Sequence, residues 1–569
     1  MTPPTAFYQV YASAFHPGGL TGIGQTAPYL ASLGVDALVT QPVSAYPPNA
    51  TDRYYSPCDH GSVDPSLGGP EAIQELNRTL REHGITAVGD LVLNHVDRAG
   101  WIVERAIAEP EDYAAWLRLS RDPVGHHWPE KLVNIFGRPQ WTEVSQLGGF
   151  VATPFYDDQY TLNFEHEPLI RYINGVAGGQ MLDTWGYSAL RLDAAASVDP
   201  IDLTDAPAVN QYGRVAPHPV ALRFMEQFRE NVLRPRGAWA IAEAGGSPEY
   251  MRALMASPGV DYAYDVSWWA VILHAALTGR WDALREHLAE QAPDTWDRHI
   301  RYLGSHDERQ ARFTPQRAEL IAAYGGRDQE YVCFGGNGLT RRMRDMLPSA
   351  DAHAMAVGLT ALMPGVPLYY QGDLEGLRGD SSARKLDVRD PNRCRMPWDA
   401  AKPNAGWGAA ASRYPLDPDW RTASIAQQQR TPGSMVNRSR RMLHLRRQME
   451  SARTGRYAEL TSTCPAALSF SRHAKGHDAL VIVANVSEER VSTSLDLGPF
   501  RRQRFVILDT SPSDANAADP VQWRPGTDWA TGSDYPVKLD PHELLVMRVL
   551  PALTRSFTTG VSRRQGRQL

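Results

Sequence analysis

Short, continuously apolar segments alternate with amphipathic stretches along most of this chain. Residues 35–40 form such a segment behind a helical stretch that stops at Gly34, and residues 85–93 form another behind the helical pattern of residues 71–82. An uninterrupted apolar strand has both faces buried, which is typical of a parallel sheet covered by helices. Further strand patterns occur at residues 6–11, 187–193, 238–243, 301–307 and 366–372. Seven or eight such units predict a (β/α)8 TIM barrel.

The alternation has one large interruption, after the third strand. Asp193 follows Asp90 by 103 residues, whereas one βα unit takes about 30. Beyond residue 450, short alternating strands replace the earlier pattern and are typical of a β-sandwich. The predicted organisation has four parts: a catalytic barrel (1–95 and 165–450), an inserted lobe (96–164), a C-terminal antiparallel β-sandwich domain (451–553) and a disordered tail (554–569).

Charge and cysteine content exclude several classes of protein. The formal net charge is −6, without the positive surplus of a nucleic-acid binder. We expect no membrane span, because no segment reaches about 18 consecutive apolar residues. From the first residues we expect no secretory leader, and Cys58, Cys333, Cys394 and Cys464 show no CxxC spacing. These features predict a cytoplasmic protein without a disulfide framework or structural zinc. The oligomeric state stays open.

Ionisable residues lie at the ends of several predicted strands, where a β/α barrel has its active site. A single Asp after a strand is more often a helix cap than a catalyst. A cluster of acids with one arginine and two histidines is instead suited to offsetting a positive charge that develops near one carbon. The candidates are Asp90, Asn94, His95, Arg191, Asp193, Glu243, His306 and Asp307.

These segments resemble the four signatures of the α-amylase family (glycoside hydrolase family 13). Residues 90–95 resemble the first signature, residues 186–194 the second, residues 241–244 the third and residues 302–307 the fourth. They occur in the family's order, and the resemblance covers residues 6–407. It implies a barrel enzyme that needs no cofactor and acts on α-glucosides or oligosaccharides.

The resemblance implies roles for the three acids. Asp193 is expected to be the nucleophile that forms a covalent glycosyl enzyme, and Glu243 the general acid and base. Asp307 is expected to bind hydroxyls of the distorted sugar. Arg191 is expected to hold Asp193 ionised through its opposite charge. A retaining mechanism predicts that the carboxyls of Asp193 and Glu243 lie about 5–5.5 Å apart.

The same resemblance extends to substrate-binding residues. Tyr55 is expected to stack on the sugar, with Asp90, His95, His306 and Arg395 also in the substrate site. Ser56 stands where relatives that act on terminal glucose often have Asp.

Asn94 matches a position that binds calcium in many amylases. A hydrogen bond between barrel and lobe is the alternative interpretation of this residue.

Residues 336–343, 362–373 and 389–398 look like those of trehalose synthases and related α-glucosidases. Residues 194–231 lack the acidic, Asn-rich stretch of trehalose synthases. We therefore favour a retaining hydrolase or transglucosidase of short α-glucosides over a maltose–trehalose isomerase. A non-catalytic carbohydrate-binding relative is a further alternative, although all three acids are present. A phosphate-dependent enzyme would need an anion site, for which residues 341–344 are the candidate, although a solvated helix face is the favoured interpretation of these residues.

Overall fold

Eight parallel strands close into a barrel in the computed structural model, which describes residues 4–121, 140–195, 216–380, 387–409, 414–500, 503–508, 521–525 and 534–550. The strands are β1 (Phe7–Val10), β2 (Ala37–Thr40), β3 (Thr86–Val92), β4 (Ala189–Asp193), β5 (Ala240–Ala242), β6 (Tyr262–Asp265), β7 (His299–Tyr302) and β8 (Val366–Tyr370). Each strand pairs with the next along the chain, and β8 pairs with β1. This confirms the predicted barrel. The strand that the sequence patterns missed is β6, because its four residues alternate aromatic and small or polar side chains.

The barrel interior is apolar in its lower layers and charged at the carboxyl ends of the strands. Alternate residues of a strand share one face, so Val88 and Asp90 both face inward on β3. Apolar side chains fill the lower layers as one cluster: Phe7, Ala37, Val39, Val88, Ala189, Trp239, Ile241, Tyr264, Val266, Ile300, Tyr302, Val366 and Leu368. This packing closes the barrel below and leaves the charged side chains above it at the carboxyl ends of the strands.

Helices cover the outside of the barrel. Two predicted helix ends are confirmed, since Gly34 and Gly84 both adopt the left-handed conformation, with φ of 95° and 71°. The α-helices are Ala12–Phe15, Gly19–Gln25, Ala27–Leu33, Gly69–Glu82, Trp101–Ala108, Pro110–Tyr113, Glu167–Gly175, Pro219–Phe228, Pro248–Ala256, Trp268–Thr278, Asp282–Glu290, Arg317–Tyr324, Met343–Met346, Ala350–Leu362, Trp420–Ala423, Ile425–Arg430, Met435–Gln448 and Glu450–Arg453. Within the described ranges, no helix is long and apolar enough to cross a membrane.

A small lobe follows β3. Its strands form two antiparallel sheets, one of His95–Asp97 with Gln159–Thr161 and one of Leu119–Ser120, Gly149–Ala152 and Trp141–Val144. Phe155, Tyr156 and Gln159 of this segment line the cleft above the barrel. The lobe therefore supplies one wall of that cleft.

Two antiparallel sheets follow the last barrel helix. One has six strands in the order Arg456–Glu459, Ala467–His473, Ala479–Asn485, Leu544–Leu550, Arg504–Leu508 and Trp523–Pro525, and the other pairs Val491–Asp496 with Asp534–Leu539. Val481 of the first sheet and Val537 of the second belong to one hydrophobic cluster, which is the packing of a β-sandwich. The predicted tail, residues 554–569, lies outside the described residues.

Candidate active site

One buried arginine binds three carboxylates at the top of the barrel. Arg191 of β4 is fully buried, and strand register sets Asp90 of β3 beside it. Its Nη1 lies 2.6 Å from Asp90 Oδ2 and 2.8 Å from Asp193 Oδ1, and its Nη2 lies 2.8 Å from Glu243 Oε2. The guanidinium therefore holds the predicted nucleophile and the predicted general acid on adjacent nitrogens, with Asp90 as a third partner.

The backbone after Asp193 also contributes to this geometry. Ala194 has a φ of 46°, a left-handed conformation that L residues rarely adopt and that costs about 1–3 kcal/mol. Its N–H donates to Glu243 Oε2 at 3.0 Å, and the N–H of Ala195 donates to the Glu243 carbonyl at 2.9 Å. The turn after β4 is thus tied to the acid at the end of β5.

The electrostatics at Asp193 differ from the expectation that Arg191 keeps its pKa low. Burial raises the pKa of Asp193 well above its usual range, although Arg191 opposes this effect. Glu243, Asp90 and Asp307 raise the pKa of Asp193 further, since they are like charges. Burial also raises the pKa of Asp90, to about 7. Arg191 is shared among several acids, so it opposes only part of the effect of burial on their pKa values.

Tyr55 and two histidines line the cleft next to the acids. The Tyr55 ring stacks on His306 with centroids 4.8 Å apart, and its hydroxyl donates to Asp90 Oδ2 at 3.0 Å. His95 Nε2 donates to the Tyr55 carbonyl at 2.6 Å. Burial lowers the pKa of His95 to about 4 and that of His306 well below its usual value. Both rings are therefore neutral hydrogen-bonding groups near pH 7.

A second charged network lines the cleft. Arg389 Nη1 lies 3.0 Å from Asp307 Oδ1, and its Nη2 lies 2.7 Å from Asp52 Oδ1. Asp307 also lies 3.1 Å from His306 Nε2. Burial raises the pKa of Asp52 to about 6, against the pull of Arg389. The network fixes Asp307, and Asp52, Asp307 and Arg389 all line the cleft.

Sequence reasoning missed Asp52, Arg389 and Glu308 as site residues. Arg389 begins the stretch 389–398, which looks like that of trehalose synthases, but the residue of this stretch that the resemblance predicts in the substrate site is Arg395. Arg395 does not line the cleft; its guanidinium carbon lies 5.4 Å from the Trp407 ring centroid. Glu308 follows Asp307 directly, lines the cleft and is 6% exposed, and burial raises its pKa to about 7.

The candidate anion site at residues 341–344 is occupied by internal contacts. Arg342 is buried and donates to the carbonyls of Asn392 and Gln371 at 2.7 Å and 2.6 Å. Arg341 donates to the carbonyl of Asp345 at 2.9 Å. These arginines stabilise neighbouring loops, so they are a poor candidate for a phosphate site.

Asn94 is fully buried between barrel and lobe. Its carbonyl accepts from the Leu162 N–H at 2.8 Å, and its Oδ1 lies 3.4 Å from His95 Nδ1. Calcium prefers several carboxylate and carbonyl oxygens, and the described residues include no group of three or more His, Cys, Asp or Glu side chains suited to a metal. These residues are therefore a poor fit to calcium.

The chemistry that this arrangement permits is displacement at a sugar carbon. The cleft has a volume of about 770 Å³, counting space open to solvent. Asp193, Glu243 and Asp307 all line it, with Arg191 and Asp90 beneath. An excess of carboxylates over cations would stabilise positive charge on a bound sugar in this buried environment.

Comparison with known proteins identifies the family to which this chain belongs. The chain is 24% identical over 528 residues to an alpha-glucosidase of Culex pipiens, covering 87% of this chain and 83% of the relative. It is 24% identical over 526 residues to a trehalose synthase of Pimelobacter sp. (strain R48), covering 86% and 88%. The crystal structure of the alpha-glucosyl transfer enzyme XgtA has a TM-score of 0.73 at 20% identity, covering 96% of this chain and 100% of that one. The profile of the alpha-amylase catalytic domain matches residues 4–323 and 337–455. The chain belongs to the α-amylase family.

Proposed function

We propose that this protein is a retaining α-glycosidase or transglucosidase that acts on short α-glucosides through a covalent glycosyl-enzyme intermediate. Asp193 attacks the anomeric carbon while Glu243 protonates the leaving oxygen. Glu243 then deprotonates water or a sugar hydroxyl, which releases the glycosyl group with its configuration retained. The observation that carries this proposal is the position of both carboxyl groups, each 2.8 Å from a terminal nitrogen of Arg191.

The other cleft residues support the transition state in this proposal. Asp307 binds sugar hydroxyls and is held for that task by Arg389 and His306. Tyr55 offers its ring to the sugar, and its hydroxyl bond to Asp90 sets the orientation of the ring. The several acids around the anomeric carbon stabilise its positive charge better in the transition state than in the ground state, which is the condition for catalysis.

The pair of Asp52 and Arg389 supports a preference for short substrates. Ser56 leaves the position next to Tyr55 without a carboxylate, but Asp52 supplies one to the same cleft. The buried contacts of Arg389 with Asp52 and Asp307 place a charged network in the cleft lining. In the proposed function this network limits the cleft on that side, so that the site takes a terminal sugar rather than the middle of a long chain.

A second candidate function is intramolecular isomerisation of maltose and trehalose. The trehalose synthase relative favours it, and so does Glu308, a buried acid in the cleft beside Asp307 that could hold a released glucose by hydrogen bonds. The two functions differ in whether water reaches the glycosyl enzyme: a hydrolase admits it, whereas an isomerase excludes it.

The product profile tests both functions directly. The enzyme is incubated with maltose, trehalose, sucrose, isomaltose and soluble starch, and the anomer released first is read by proton NMR. We expect glucose or transfer products from the short substrates, with the α anomer first and little cleavage of starch. Interconversion of maltose and trehalose would identify the isomerase, and early β anomer or rapid starch cleavage would contradict the proposal.

We further propose a cytoplasmic location, since no disulfide joins Cys58, Cys333, Cys394 and Cys464. The proposed partners are small α-glucosides or oligosaccharides, with no role for nucleic acid or a membrane.

A further inference from the structure

Another cavity lies behind the wall of the active site, between the end of β6 and the helices Pro248–Ala256 and Asp282–Glu290. Its volume is about 620 Å³, counting space open to solvent, and the proposed catalytic acids do not line it. We propose that this cavity binds a small uncharged aromatic alcohol and that the bound molecule changes turnover at the neighbouring active site.

Most of the cavity wall is apolar. Met251 and Met255 line it from one helix, and Val266, Phe313 and Pro315 line it from the loops after β6 and β7. Methionine side chains adapt to irregular shapes and make favourable sulfur contacts with aromatic rings. Such a wall favours a flat apolar ligand.

One buried polar atom in the lining explains the need for a hydroxyl group. His299 lines the cavity and is 3% exposed. Its Nδ1 has no hydrogen-bond partner among the described residues. Burial lowers the pKa of His299 to about 3, so its ring is neutral. A ligand hydroxyl, which both donates and accepts, can satisfy this nitrogen and recover its desolvation cost.

The remaining polar groups argue against a charged or sugar-like ligand. Asp265 pairs with Arg301, and its Oδ2 accepts from Gln291 Nε2 at 3.1 Å and lies 2.8 Å from His287 Nε2. Its carboxylate is ionised and already satisfied, since these neighbours lower its pKa. Arg252 and Glu290 also line the cavity, and Arg252 already donates to the Glu290 carbonyl at 2.8 Å and to Glu249 Oε1 at 3.2 Å. A sugar would leave most of its hydroxyls facing apolar side chains.

Phe313 connects this cavity with the active site. Its ring packs so closely on Gly245 that a Cβ there would lie 2.6 Å from Phe313 Cε2, and Gly245 lines the catalytic cleft two residues after Glu243. Val266 lines both cavities. Arg312, which also lines the cleft, has its guanidinium carbon 5.0 Å from the Phe313 ring centroid. A ligand that displaces Phe313 would therefore shift the backbone next to Glu243, the proposed general acid.

The test uses 2-naphthol as the probe and the full-length protein. Binding is measured by calorimetry without substrate, so it does not depend on the proposed reaction. Met251→Trp fills the cavity, and Met251→Leu is the matched control that keeps it open. We expect saturable binding of one probe per chain, weakened at least about tenfold by Met251→Trp, a loss of about 1.4 kcal/mol, and little changed by Met251→Leu. If Met251→Trp does not fold, Thr295→Trp blocks the cavity from another wall.

Kinetics test the second half of the proposal. We expect the bound probe to change kcat at saturating α-glucoside in the unmodified enzyme but not in Met251→Trp. Absence of saturable binding, equal binding to the blocked variant, or an effect on KM alone that vanishes at high substrate would overturn the proposal.

Discussion

Replacing Arg191 with lysine is the most informative change to the charged centre. A lysine keeps one positive charge, but its single ammonium cannot reproduce two guanidinium nitrogens that bind Asp90, Asp193 and Glu243 at 2.6–2.8 Å. Losing one charge-assisted hydrogen bond costs about 1.5–3 kcal/mol. If the lost bond stabilises the transition state, kcat/KM falls about 10- to 150-fold.

The pH profile gives this prediction a second readout. Arg191 is the main group that lowers the pKa of Asp193 against its burial. A weaker contact raises the pKa of Asp193 further, and an attacking carboxylate must be ionised, so the acid limb of kcat/KM should move to higher pH.

The value of kcat/KM and its pH profile are both measured at a temperature well below the thermal midpoint of unfolding, with Arg229→Lys as the control. Arg229 lies 2.9 Å from Asp261 on the surface, with 38% of its side chain exposed, and its replacement should leave both readouts unchanged. An Arg191→Lys enzyme with unaltered kcat/KM and an unaltered acid limb would refute the reasoning.

Three further predictions concern the acids. Asp193→Asn should abolish turnover while the thermal midpoint changes little; appreciable residual activity would count against a nucleophile. Glu243→Gln should lose about 10²–10⁴-fold on maltose but much less on aryl α-glucosides with good leaving groups; equal losses on both, measured as kcat/KM, would exclude an acid role. The raised pKa of Asp90, about 7, means that the folded state binds this proton more tightly than the unfolded chain, so its stabilising effect is present at low pH and lost as pH rises towards 7. Asp90→Asn should flatten the decline of the thermal midpoint between pH 5 and 8, and a steeper decline in the variant would contradict this sign.

The sequence predicted the barrel because its strands and helices have strong periodic patterns. Gly34 and Gly84 end their helices as expected. The strand Tyr262–Asp265 is not predicted from the sequence, because a short segment with Tyr and Asp at its ends has no continuous apolar run. Its existence became visible only through pairing with β5 and β7.

The candidate site was predictable where catalytic groups sit on strand ends and unpredictable where they come from loops. Asp193 and Glu243 follow from strand position, whereas Asp52 and Arg389 are 337 residues apart and meet only in the fold. The pKa of Asp193 was also beyond sequence reasoning. Its direction depends on how many acids share Arg191 and on how deeply they are buried, neither of which is a local property.

The most direct measurement of the account is the trapping of the glycosyl enzyme. Glu243→Gln is mixed with an aryl α-glucoside that has a good leaving group, quenched in acid and digested for mass spectrometry. With a good leaving group, formation of the glycosyl enzyme needs little general-acid catalysis. Its hydrolysis lacks the general base that Glu243 would supply, so the intermediate should accumulate. The account predicts one added glucosyl group, attached to Asp193. A burst of aglycone with the sugar on any other residue, or steady turnover with no adduct at all, would contradict it.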